Sequence, residues 1–346
     1  MRQLLVLILL LTAFGCSGDR PPRSPARGAA ASASETTVAL GASGHFSFVA
    51  DDDTSLAHFL YEWALYENKK PGQLFPARVE LAKLTDAERA VWERAIAHFS
   101  ATVISRELGF DPGLTELRFT FAGLAPAPAA AADQKTVAEV EALLPSYRRL
   151  FWPGHLAAAR QWVAAYLALP QVEEREDHLA RRIAAAFAGS WPEGRIRVDL
   201  APYGSWAGAY TVVLGGRPVS LISSFDPTYQ GEAALEMVFH EGAHNRATLG
   251  AFERALREAC ERRQRTLPRG FGHAVHFFTV GELARSEAAR VGIPYIPYAE
   301  AQQLYQGGWA GFHQPMARHW GPFLAGATGR EEAVDAMVET LLTKEP

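Results

Sequence analysis

Hydrophobic and polar positions follow two different periods along this chain, and the places where the period changes mark its parts. Arg195-Ile196-Arg197-Val198-Asp199-Leu200 alternates polar with apolar residues, the two-residue period of a half-buried strand. Tyr210-Thr211-Val212-Val213-Leu214 and Pro218-Val219-Ser220-Leu221-Ile222-Ser223 flank Gly215-Gly216, which reads as a hairpin. His45-Phe46-Ser47-Phe48-Val49 predicts a further short strand. Helical spacing prevails elsewhere, and predicts helices over 54–66, 86–108, 136–144, 154–169 and 173–188. Thr85-Asp86-Ala87-Glu88 supplies the start signal of the second. Leu235, Val238 and Phe239 form an apolar stripe on a helix that follows the last strand, after the cap and turn residues Ser223, Ser224 and Asp226-Pro227. From there to Pro346 the pattern stays mostly helical. Helices, a small antiparallel sheet, then helices predict an α+β fold, predominantly helical, with the sheet directly before the helix at 231–244.

The chain has 346 residues, 48% of them hydrophobic and 11% aromatic, enough for one large domain or two small ones. A formal charge of −4 without a dominant basic stretch gives no sign of a nucleic-acid partner, and none is expected. Four parts follow from the pattern: 1–16, 17–44, 45–190 and 191–346. Residues 18–44 are rich in Pro, Ala, Ser, Gly and Thr, and read as a flexible tether. Ala- and Pro-rich 125–132 reads as a loop within the helical part 45–190.

The residues that carry chemistry are His240-Glu241-Gly242-Ala243-His244. On a helix, residues four apart share one face, so His240 and His244 can reach one metal ion. Glu241 projects beside them, placed to take a proton from water held by that ion. Gly242 and Ala243 are small enough for another backbone or a substrate to come near. Two imidazoles are not a complete site, because a catalytic zinc has three protein ligands and an open position.

Met1-Arg2 followed by the apolar run 4–11 reads as an export signal, and Ala13-Phe14-Gly15-Cys16 resembles a bacterial lipobox. That resemblance implies a lipid anchor on Cys16, and Ser17 after it favours the outer membrane. Residues 1–16 are then a leader, and the protein is exported to the cell envelope. The one other cysteine, Cys260, lies on an amphipathic helix at 252–260 and reads as a small core residue.

A short sheet running into an HExxH helix, with a Glu-bearing helix downstream, resembles the zincin metallopeptidases, specifically the gluzincin branch. The resemblance covers roughly residues 195–290, and the chain is also similar to bacterial exported lipoproteins, a likeness that carries no activity. It implies a zinc peptidase whose catalytic part is 191–346, with a peptide or protein as substrate. The metzincin pattern is excluded, since Ala247 and Gly250 stand where that branch has Gly and His.

The third ligand is expected on the helix around 271–287. Glu282, a carboxylate after an intensely apolar run, is favoured, with Gly281 beside it permitting close helix approach. Glu287, His273 and His276 are the alternatives. Tyr298, Tyr305, Tyr295, His273 or His276 would polarise the oxyanion. Glu236, one turn before His240, is read as an acceptor orienting its ring or as a solvated helix residue. The 203–214 segment would bind extended peptide backbone as an edge strand, or simply close the core.

The expectation is therefore a lipid-anchored zinc metallopeptidase. His240, His244 and Glu282 hold Zn2+, and Glu241 is the base. Its rivals are a zinc hydrolase acting on a non-peptide amide or ester, and an exported lipoprotein with a structural metal site.

Overall fold

The computed structural model describes residues 37–70, 82–106, 108, 111–204 and 208–343. The expected leader 1–16, the anchor Cys16 and most of the tether lie outside the described residues. Among the described residues, no helix is long and apolar enough to cross a membrane.

The fold is α+β. Five strands, β1 (Thr37–Ala42), β2 (Phe46–Asp51), β3 (Ile196–Ala201), β4 (Ala209–Leu214) and β5 (Arg217–Ser223), form one sheet in the order β1-β2-β3-β5-β4. The expectation of a small antiparallel sheet is corrected. β1–β2 and β4–β5 are antiparallel hairpins, but β2–β3 and β3–β5 pair in parallel. The reason lies in the long chain between β2 and β3: a crossover of that length lets the strand return in the same direction. The tether is corrected too, because Thr37–Ala42 inside it pairs with β2. Gly215 and Gly216 both have positive φ (57° and 83°), which the tight β4–β5 turn requires and which only glycine adopts without strain.

Among the described residues six helices fill the crossover: α1 (Asp52–Glu67), α2 (Asp86–Thr102), α3 (Pro112–Phe121), α4 (Ala131–Leu150), α5 (Trp152–Leu167) and α6 (Val172–Phe187). α2 carries the expected capping box, with Thr85 and Glu88 satisfying each other's backbone N–H groups. α3 is an addition to the elements read from sequence, started by Asp111, whose carboxylate accepts from the Leu114 N–H, and by Pro112. Helices α1 to α4 share one aromatic core around Phe59, Trp92, Tyr147 and Phe151. α5 and α6 pack instead into the main core with β2, β3 and the helices that follow β5. Along the chain, the packing passes from one core to the other near Phe151 and Trp152.

After β5 come α7 (Glu232–Ala243), α8 (Arg246–Glu261), α9 (Phe271–Arg290), a run of short turns, and α10 (Arg330–Thr343). α7 packs on β4 and β5, and α9 packs across α7 and α6. Gly242 lets α7 sit tightly on β3, since a Cβ there would meet Ile196 at 2.9 Å and Trp191 at 3.1 Å. That space is filled by the protein's own side chains, so the expected approach of a substrate at Gly242 is corrected. Cys260 is a buried core residue, as its helix pattern indicated.

The helical insert is pinned to the sheet by a buried ion pair. Arg118 of α3 donates to Asp199 of β3 at 3.0 Å and to the Val219 carbonyl at 2.8 Å, and its guanidinium lies 4.9 Å from the centre of the Tyr210 ring. Both charged side chains are at most 2% exposed. Removing Arg118 leaves Asp199 with Arg197, 2.7 Å away, as its remaining cationic neighbour among the described residues and takes the donor from the Val219 carbonyl, a loss on the order of 1–3 kcal/mol. Arg118→Ala is expected to lower unfolding stability by that amount in urea titration, and an unchanged midpoint would refute this role for the pair.

Candidate metal centre

α7 begins at Gly231, whose backbone (φ 59°, ψ −131°) suits glycine, after a turn in which Asp226 accepts from the Thr228 N–H at 2.9 Å. The expected turn chemistry is present, but no side chain caps the helix. Apolar positions Leu235, Val238 and Phe239 face the core, which turns the polar side chains Glu236 and His240 inward along one stripe. His244 stands at the C-cap, where the chain leaves the helix. Asn245 then caps α8 by accepting from the Thr248 N–H.

α9 brings two more imidazoles to the same place. Nitrogens of His240, His244, His273 and His276 all lie within 4.8 Å of one another. His240 Nε2 is 3.1 Å from His244 Nε2 and 3.2 Å from His273 Nε2. A single proton shared between two rings cannot satisfy both contacts of His240 Nε2 in the same way. An ion with bonds near 2.0–2.1 Å would set tetrahedral nitrogen separations of about 3.3 Å, close to those observed. His240 Nδ1 and both nitrogens of His276 are buried with no hydrogen-bond partner. Buried polar atoms are normally paired, so these orphans fit a group that is not part of the chain.

Burial and mutual repulsion keep the cluster neutral. Loss of water holds the His240 imidazole well below its ordinary range, and the charges that His276, His244 and His273 would carry push it further down. Burial brings His244 down to about 4 and lowers His273 and His276 as well. Neutral imidazole is the form that binds metals. An all-nitrogen donor set suits zinc and the later first-row divalent ions.

Glu241 lies beside the cluster with its carboxylate turned to the sheet. Thr211 of β4 donates to Glu241 Oε2 at 2.7 Å. Burial pushes its carboxyl up to about 7, against the Thr211 hydroxyl and the charge of Arg118, both of which favour the ionised form.

Glu282, expected as third ligand, is corrected. It pairs with Arg285, three residues on, and its carboxylate is outside the imidazole cluster. At about 100° and 1.5 Å per residue, Glu282 is turned roughly 180° from His273 and lies about 9 Å along the axis from His276. The positive partner that its apolar surroundings called for is an arginine. Glu287 is held by Arg290 and Arg182, with His178 nearby at 3.3 Å, and is not among the four residues of the cluster. His273 and His276, the alternatives, occupy the place instead.

Glu236 does not orient His240. It accepts from the Tyr295 hydroxyl at 2.6 Å and the Tyr298 N–H at 3.0 Å, tying the segment after α9 to α7. A Cβ on Gly281 would come within 2.8 Å of Pro297 and 3.2 Å of Glu236 Oε1, so glycine permits this close approach. Tyr295 and Tyr305 are not brought to the imidazoles: Tyr295 is bonded to Glu236, and Tyr305 stacks near His313. Tyr298 donates to Tyr229 at 3.3 Å and stands beside Phe277, which stacks on His240 at 3.7 Å. Sequence reading missed this wall of Phe277, Tyr229 and Trp309, whose residue types signal only core.

Compared with models of known families, with curated proteins and with solved structures, the chain matches none.

Two outcomes follow from this geometry. Glu282→Gln is expected to retain one zinc per chain by elemental analysis, whereas His273→Ala loses it; equal loss in both would restore Glu282 to the ligand set. Glu236 titrates near 4.5 unfolded and near 7 folded, because burial raises it, so the native chain keeps a proton the unfolded chain releases. Its contribution is therefore fully present below about 4.5 and lost as pH rises toward and through 7. The stability difference between wild type and Glu236→Gln should shift in favour of the variant across that window, and a pH-independent difference would refute the assignment.

Proposed function

We propose that the chain is a zinc-dependent hydrolase of amide bonds in extended peptides, with His240, His244 and His273 as the metal-holding residues. The observation that carries this reading is the convergence of the three Nε2 atoms beside a buried carboxylate. Zinc bound there supplies a Lewis acid and a water acidic enough to ionise near neutral pH. Glu241 is the base: a carboxyl raised to about 7 both takes and returns a proton near neutrality. Thr211 holds that carboxylate by a hydrogen bond from β4. β4 ends the sheet, with no strand on its far side among the described residues. A peptide laid along it would gain backbone hydrogen bonds beside the residue that grips the base. The leader-like segment 1–16, with Cys16, supports an anchored location in the cell envelope.

The fourth imidazole favours a second reading, a structural ion closed by four protein ligands, since His276 has a nitrogen within 4.8 Å of the others. Glu241→Gln separates the two. In the hydrolase, zinc content stays at one per chain while peptide-library cleavage falls about 10²–10⁴-fold. Tight zinc without cleavage of any peptide in the wild type would favour the structural site, and equal cleavage by both forms would remove Glu241 from the reaction.

A further inference from the structure

His276 is the imidazole that three-point metal holding leaves over. It is 2% exposed, and neither ring nitrogen has a hydrogen-bond partner. Its ring lies face to face with His240, the centroids 4.2 Å apart and the planes at 17°. It meets His244 edge-on at 4.6 Å and Phe187 edge-on at 5.7 Å.

These angles sort the four rings. A ring nitrogen directs its lone pair within the plane of the ring, so two rings lying face to face direct theirs in separate, nearly parallel planes. His240 and His276 therefore do not point at one centre as placed. His244 and His273 meet His240 at 82° and 39°, with Nε2 separations of 3.1 and 3.2 Å, and do converge with it. His276 still has a nitrogen within 4.8 Å of all three. A His276 nitrogen is thus near enough to the other three to donate, at about 2.8–3.0 Å, to an oxygen that the ion would hold.

We propose that His276 is a binding residue for anionic oxygen ligands of the centre: it donates its ring N–H to the oxygen of a carboxylate or hydroxamate occupying the position that the three ligands leave open. This rests on the three-histidine metal centre proposed above. Aromatic packing alone would be served equally by phenylalanine, and a phenylalanine would leave no orphaned nitrogens. The histidine's two unpaired atoms, enclosed beside the ligand nitrogens, are accounted for by a ligand that arrives with its own acceptor.

The test uses the full chain loaded with cobalt(II), whose visible absorption reports its coordination, titrated with acetohydroxamate. His276→Phe is expected to keep one cobalt per chain and to bind acetohydroxamate about 10–100-fold more weakly, the scale of one lost hydrogen bond to a charged group. His276→Gln, which keeps a donor, should recover part of the loss. Should His276→Phe fail to fold, His276→Met replaces it with the same expected weakening. Unchanged acetohydroxamate affinity in the apolar variant overturns the proposal and leaves His276 a packing residue. Loss of cobalt as complete as in His273→Ala also overturns it and makes His276 a metal ligand. Failure of the wild type to bind cobalt would instead overturn the metal centre itself.

Discussion

Imidazoles packed this closely in a buried space face two penalties at once. Protonated, they repel one another; neutral, they present lone pairs that have no donor. Burial holds His240, His273 and His276 well below their ordinary range, so the cluster is neutral at physiological pH. Neutrality leaves His240 Nε2 facing two other nitrogens at little more than 3 Å. A cation shared among them removes both costs together, because each coordinating lone pair then has an acceptor and no ring carries a second proton. The surrounding packing serves this approach of two helices. Gly242 seats α7 on β3, and Gly281 lets α9 and the following segment close around Glu236.

The carboxylates of α7 complete the electrostatics. Glu236 and Glu241 flank His240 in the sequence and are both pushed up to about 7 by burial, each held by a hydroxyl, from Tyr295 and Thr211 respectively. A divalent ion placed among the imidazoles would favour the ionised form of both. The same two groups would then offset the ion's charge, so the empty and the filled centre each approach neutrality by moving protons rather than side chains. A carboxylate far from the centre, such as Glu282, has no part in that exchange, and its arginine neighbour already satisfies it.

Much of this was legible from local signals. Period-two alternation located β3, and the runs flanking Gly215-Gly216 located β4 and β5, to within a residue at each end, and the capping box placed the start of α2. The spacing of His240 and His244 put two imidazoles of the cluster on one helix. What failed was long-range. No local pattern in Thr37–Ala42 tells a tether from an edge strand; only pairing with β2 makes it one. The direction of β3 depends on a partner some 150 residues away. An apolar environment does not by itself demand a metal for a carboxylate, since Glu282 finds its cation in Arg285. On α9 the helical phase that turns His273 toward α7 turns Glu282 away. His273 and His276 are spaced three apart on one face, a signal as good as that of the motif itself once the packing of α9 on α7 is known.

The helical insert between β2 and β3 looks at first like an appendage with its own core, yet the site depends on it. Arg118 comes from α3, within that insert, and is buried against Asp199 of β3 and the Tyr210 ring of β4. Tyr210 in turn meets His58 of α1 at 2.7 Å. Thr211, the next residue of β4, grips Glu241. The charge of Arg118 also reaches Glu241, where it favours the ionised form and opposes burial. A buried arginine that pairs with one carboxylate also favours the ionised form of the proposed base, behind burial and the Thr211 hydroxyl in weight. Insert and sheet are thus one electrostatic unit, and a helical segment with no ligand of its own shapes the acidity of the residue beside the imidazoles.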